Sequence, residues 1–184
     1  MRHPLSTMPE LNTPNKSFQR TASPPLNSTL APPNMAIEQI IRQAFVGTEP
    51  PSCDLFSTSN TEGAEELFIH ARWEQISIRQ LQPHSASINF LSAAGFAYFL
   101  PAFMLAALSE PGISGSLMYK LTPPKDDPFR SSYAAWWSLL SEQQQKAVVE
   151  FIEHSQATGD EFPLTALAAL RSSFGANKSF KADA

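Results

Sequence analysis

Residues 88–108 read INFLSAAGFAYFLPAFMLAAL, inside a stretch, 80–109, of thirty residues without one Asp, Glu, Lys or Arg. A helix this apolar on every side is either the buried centre of a bundle or a membrane span. Ser92 is a favourable N-cap, which starts the helix at Ala93 and leaves 16 residues to Leu108, roughly 24 Å at 1.5 Å per residue against about 30 Å of hydrocarbon. Six of the sixteen are Ala, Pro101 interrupts the hydrogen-bond ladder, and the first charge beyond Leu108 is Glu110 rather than a basic cluster. The expectation is a central core helix; a single-span membrane protein through 88–108 is the alternative. Pro101 frees the carbonyl of Ala97, and Tyr98 or a water is expected to satisfy it.

Outward from this segment the chain keeps a helical grammar. In 36–46 the apolar residues Ile37, Ile40, Ile41, Ala44 and Phe45 recur at helical spacing opposite Glu38, Gln39, Arg42 and Gln43, with Gly47 as the stop. Residues 47–60 are turn-rich. Thr61 caps a second helix, with Glu62, Glu65 and Glu66 in its first turns and an apolar face of Leu67, Phe68, Ala71 and Trp73. Residues 73–81 read as a short helix. Beyond the core segment, Pro111-Gly112 reads as a turn, with a further turn or short helix at 116–121. Asp126 or Asp127 caps the next helix, Pro128 takes its first position, and Phe129, Tyr133, Trp136, Trp137 and Leu140 follow. The run Ser141-Glu-Gln-Gln144 is a capping box, and it opens a helix that buries Ala147, Val148, Phe151 and Ile152 and stops at Thr158-Gly159. A last helix from Pro163 buries Leu164, Leu167, Leu170 and Phe174. The fold expected is all-α, a compact bundle of five or six helices: a single domain over 35–174 with a frayed tail at 175–184.

Residues 1–34 have a different composition. They hold seven of the sixteen prolines, eight Ser or Thr and four Asn, and their few apolar residues follow no period. Proline removes backbone donors and short polar side chains compete with the backbone ladder, so a disordered Pro/Ser/Thr/Asn-rich N-terminal segment is expected. No apolar run there is long enough for a secretory signal, and the prolines forbid an amphipathic transit helix. The stretch 15–27, NKSFQRTASPPLN, resembles translated intergenic repeat DNA found in unrelated bacterial proteins. Met35, one residue before the first periodic segment, is then an alternative start.

Composition narrows the function. Across 184 residues the chain is 42% hydrophobic and 16% charged, with a net charge of -4. Ample core material excludes global disorder, and the acidic balance gives no footprint for a phosphate backbone, so nucleic acid is not an expected partner. One cysteine, Cys53, permits neither an intramolecular disulfide nor a four-cysteine zinc site, so a reducing, cytoplasmic location is expected.

Motifs for chemistry are few. Glu66 with His70 and Glu150 with His154 stand at i,i+4, which on a helix places each pair on one face, as metal ligands or as a wet ionic pair. Neither matches the Glu-x-x-His spacing of a di-iron bundle. Residues 112–115, Gly-Ile-Ser-Gly, fall one residue short of a nucleophile elbow and follow no strand, so Ser114 reads as a turn serine. The seven glycines form no phosphate-binding motif. No catalytic residue and no cofactor is assigned. Tyr133, Trp136 and Trp137 cover more than one helix face, which predicts one indole at the surface or in a groove and makes these three the candidates for binding another protein.

Several of these segments carry a resemblance. From Met35 to about residue 156 the chain resembles an uncharacterised bacterial family known only as a domain of unknown function. The marks are Ala44-Phe45-Val-Gly47, the Trp73 segment, Phe90-Leu-Ser-Ala-Ala-Gly-Phe96 leading into Tyr98-Phe-Leu-Pro-Ala-Phe103, and Leu140-Ser-Glu-Gln-Gln144 leading into Phe151-Ile-Glu153. The resemblance implies a small soluble helical protein and brings no activity with it. The function expected is therefore a non-catalytic protein-binding module; the rival is a metal-dependent enzyme built on Glu66, His70, Glu150 and His154.

Overall fold

The computed structural model describes residues 33–52, 54–58, 63–124, 127–158, 167–168 and 170. The segment 1–32, Cys53, the Thr61 cap, Asp126, Leu164 and Phe174 lie outside them. Seven α-helices follow one another within the described residues: α1 (Pro33–Phe45), α2 (Glu65–Phe68), α3 (Ile78–Leu81), α4 (Ala93–Ala107), α5 (Pro111–Leu121), α6 (Asp127–Ser138) and α7 (Glu142–Ala157). Two 3-10 stretches, Trp73–Gln75 and Gln82–Asn89, join them. Two of the seven, α2 and α3, are single turns, so five long helices carry the all-α fold.

Helix α4 is the axis of the bundle. Ser92 caps it as its sequence position predicts, its Oγ accepting from the Gly95 amide at 3.0 Å. From Gly95 to Met104 every residue is buried. Such a helix needs neighbours on all sides, and α1, α5, α6, α3 and the Trp73–Gln75 turn surround it. Phe68 from α2 packs edge-on to Phe99 with ring centroids 4.7 Å apart, and Phe96 meets Trp136 of α6 at 4.8 Å. With 15 residues, α4 is about 22 Å long; no described helix is long and apolar enough to cross a membrane. The hydroxyl of Tyr98 is buried and has no hydrogen-bond partner among the described residues, so it does not serve the Ala97 carbonyl that Pro101 leaves free.

The first and last long helices lie side by side, α1 packed on α7. They run antiparallel. At one end His154 Nε2 meets Asn34 Oδ1 at 2.9 Å, and at the other Gln144 Nε2 donates to Thr48 Oγ1 at 3.1 Å. Asn34 also donates from Nδ2 to the Leu108 carbonyl at 3.1 Å, so one side chain joins the start of α1 to the ends of α4 and α7. The predicted stripe of α1 is buried at Ile37, Ile41 and Phe45, whereas Ile40 is 38% exposed. The helix opens at Pro33, three residues ahead of the start expected at Ala36.

Three further elements differ from the sequence reading. Pro111-Gly112 is not a turn: Pro111 is the first residue of α5, where its missing N–H costs nothing, and Ser114 is a buried residue of that helix. Residues 73–81 divide at Ile76 and Ser77, both extended, because Ser77 caps α3 and its amide donates to Gln80 Oε1 at 2.9 Å. Residues 54–57 do not simply connect. They form an isolated antiparallel bridge, Phe56 to Leu91, and Ser92 N–H donates to the Leu55 carbonyl at 2.8 Å. The α6–α7 corner follows the capping-box expectation, with Ser141 N–H donating to Gln144 Oε1 at 2.9 Å and Gln144 N–H to Ser141 Oγ at 3.3 Å. Buried Gln145 tightens the corner by donating to the carbonyls of Trp137 and Leu140. Of the last helix expected, Leu167 and Leu170 are buried in the core.

The strap at 54–57 explains a glycine inside α4. A Cβ on Gly95 would run into the Leu55 carbonyl oxygen, a backbone atom held by its own hydrogen bond. Gly95→Ala is therefore expected to lower stability by about 1 to 3 kcal/mol, although alanine at an unobstructed helix position gains about 1 kcal/mol over glycine. Urea denaturation of the two proteins measures it; an alanine variant more stable than the parent would show that the strap does not press on α4.

Candidate functional site

The residues singled out for chemistry do not converge. Helix α2 ends at Phe68, so Glu66 and His70 do not share a helix face. Ile69 is extended (φ -64°, ψ 124°), His70 is left-handed (φ 69°), and Ala71 N–H donates to the Phe68 carbonyl at 3.2 Å. These are the features of a type II turn with histidine where glycine or asparagine is usual. Both Glu66 and His70 are exposed. On α7, Glu150 stands 3.7 Å from Lys146 Nζ and His154 is engaged with Asn34. Among the described residues no three His, Cys, Asp or Glu side chains gather as a metal ion would require.

The aromatic trio of α6 also sits differently from expectation. Trp136 is 3% exposed and Trp137 7%, so neither indole faces solvent. Trp136 packs on Phe96 and on Tyr133, and Trp137 packs on Tyr133 and Trp136 while its carbonyl accepts from buried Gln145. Tyr133 is half-buried, and its hydroxyl donates at 3.0 Å to the carbonyl of Leu121, the last residue of α5. Burial raises the Tyr133 phenol well above its ordinary range. The aromatic face packs inward, with Trp136 against Phe96 of α4.

A cleft of about 440 Å³ lies instead where no sequence motif marks it, between α1, residues 73–78 and the C-terminal half of α4. Its size is within the range of about 300 to 1,000 Å³ common for ligand pockets. Ala102, Leu105 and Ala106 of α4 line it with apolar surface, while Glu38 and Arg42 of α1 and Glu74 bring charge. Arg42 Nη2 is 3.0 Å from Glu38 Oε1. Glu74 has a looser partner, Arg72 at 4.0 Å, and that guanidinium also stands 4.0 Å from Glu49. Trp73 belongs to the lining and is 2% exposed; its Nε1–H is buried without an acceptor among the described residues. Tyr98, whose hydroxyl is likewise buried and unpartnered among the described residues, lies against the same segment, and burial raises its phenol.

The model of a family of unknown function, DUF6714, matches residues 35–172, three-quarters of the chain. The chain belongs to DUF6714. No curated protein and no solved structure matches it. The resemblance read from the sequence is thereby the family itself, and the match runs on past residue 156 to include Leu167 and Leu170. The DUF6714 region takes in every helix named above except the first two residues of α1, and all the cleft lining except Asn34.

Two outcomes follow for this DUF6714 chain. Replacing His70 by glycine relieves a left-handed penalty of about 1 to 2 kcal/mol and adds up to about 1 kcal/mol of unfolded-state entropy, so His70→Gly should gain about 0.5 to 1 kcal/mol in urea denaturation. A loss of stability would mean that the imidazole makes an interaction the turn geometry hides. The second concerns alkali. The folded phenols of Tyr133 and Tyr98 hold their protons above the ordinary value near 10, so their contribution is complete below about pH 10 and is lost as pH rises further. Stability should stay level to about pH 9 and then fall by up to about 1.4 kcal/mol per pH unit per tyrosine. Tyr133→Phe should cost about 1 kcal/mol at pH 7 and make the alkaline decline shallower; an unchanged decline would assign it to other groups.

Proposed function

We propose that this DUF6714 protein is a non-catalytic helical module of the cytoplasm that binds another protein, and that the cleft between α1, residues 73–78 and α4 is its binding face. The observation that carries the reading is the cleft itself, about 440 Å³, in which the partly exposed Leu105 and Ile78 stand beside the charged Glu38, Arg42 and Glu74. Binding is placed here rather than on α6, whose indoles are committed to the core.

Affinity capture from the native host, followed by native mass spectrometry of the eluate, tests the proposal. Ile78 is 40% exposed at the cleft and Leu139 is 55% exposed outside the lining. A stoichiometric partner should be lost from Ile78→Glu and kept by Leu139→Glu, with both variants matching the parent in circular dichroism. A partner indifferent to Ile78→Glu would remove the cleft from the reading. One metal ion per chain, lost on joint replacement of His70 and His154, would replace the module with a metal enzyme.

A further inference from the structure

The charges around the cleft allow the guest to be described more closely, on the reading that the cleft is the binding face. Three ionisable side chains line it, two acids and one base. Arg42 is neutralised by Glu38 at 3.0 Å, whereas among the described residues Glu74 is paired with Arg72, at 4.0 Å and shared with Glu49. The described lining therefore carries one net negative charge, at Glu74, beside the apolar surface of Leu105.

We infer that the cleft takes a basic linear segment of a partner protein, in which a lysine or arginine meets Glu74 and its aliphatic stem lies over Leu105. Each part answers one feature of the cleft. A long basic side chain covers apolar surface with its methylenes while its head stays at the wet rim, beside Glu74. An acidic segment would bring its carboxylates against Glu74 and Glu38, and Arg42, the lining guanidinium among the described residues, is already engaged by Glu38, so sign complementarity selects against it.

Three fluorescein-labelled, end-blocked hexapeptides of alternating leucine and one polar residue, with lysine, glutamate or glutamine in turn, probe this by fluorescence polarisation against the full chain. The lysine peptide should bind saturably and at least about tenfold more tightly than the glutamate peptide, the weight of one well-placed charge pair. Glu74→Lys should weaken the lysine peptide by about tenfold or more and narrow its advantage, while Glu66→Lys, an exposed acid outside the lining, should leave it unchanged. Equal binding of the three peptides, or indifference to Glu74→Lys in a variant with the parent's circular dichroism, would overturn the inference. So would failure of the lysine peptide to bind while a host partner is still lost on Ile78→Glu; that result would leave the cleft as the binding face and reject only its basic guest.

Discussion

A helix with no polar side cannot stand at a surface, and in this chain that requirement falls on α4. From Gly95 to Met104 every residue of it is buried, so the remaining elements are arranged by the need to enclose it. The aromatic residues share the task by geometry: Phe68 meets Phe99 and Phe103, and Trp136 covers Phe96 near the other end. The enclosure includes one piece of non-helical chain. Residues 54–57 lie close enough to the first turn of α4 to exclude a side chain at Gly95.

Apolar burial alone would leave the helices free to slide, because it is non-directional. Polar ties fix their positions. Asn34 holds the start of α1 to the ends of α4 and α7, Gln145 holds the α6–α7 corner closed, and Tyr133 holds α6 to the last carbonyl of α5. Each of these bonds serves a backbone carbonyl near a helix end, or draws in a side chain from another element. His154 and the α6 aromatics thus acquire structural roles that differ from the chemical ones their spacing suggested.

What was legible in the sequence was what short-range pattern controls. The Ser92 cap, the Ser141 capping box and the buried stripes of α1 and α7 are local agreements between side chain and backbone, and the structure contains them. Where two local rules compete, the pattern misleads. Pro-Gly serves a turn or a helix start equally, and Pro111 opens α5; the i,i+4 spacing of Glu66 and His70 means adjacency only while a helix continues, and α2 stops at Phe68. A three-aromatic face looked too wide to bury, yet Trp136 and Trp137 are both buried, Trp136 against Phe96 of the neighbouring α4, a neighbour that the sequence of α6 does not disclose. The cleft was not legible at all. Its walls come from residues 34–42, 73–78 and 102–109, and no window of sequence contains them together.

The bond between Asn34 and His154 spans 120 positions. Closing so long a loop carries a chain-entropy cost that short-range helix contacts do not meet, and it enters the folding rate through contact order. On the ribosome the consequence is temporal. Helix α1 emerges first, yet the surface that secures it along its length is α7, made about 110 residues later. At about 5 to 20 residues per second, α1 waits on the order of 5 to 20 s with Ile37, Ile41 and Phe45 uncovered by α7. That interval is when the nascent chain is most open to a chaperone or to a neighbouring chain, and it ends only as the last turns of α7 clear the exit tunnel.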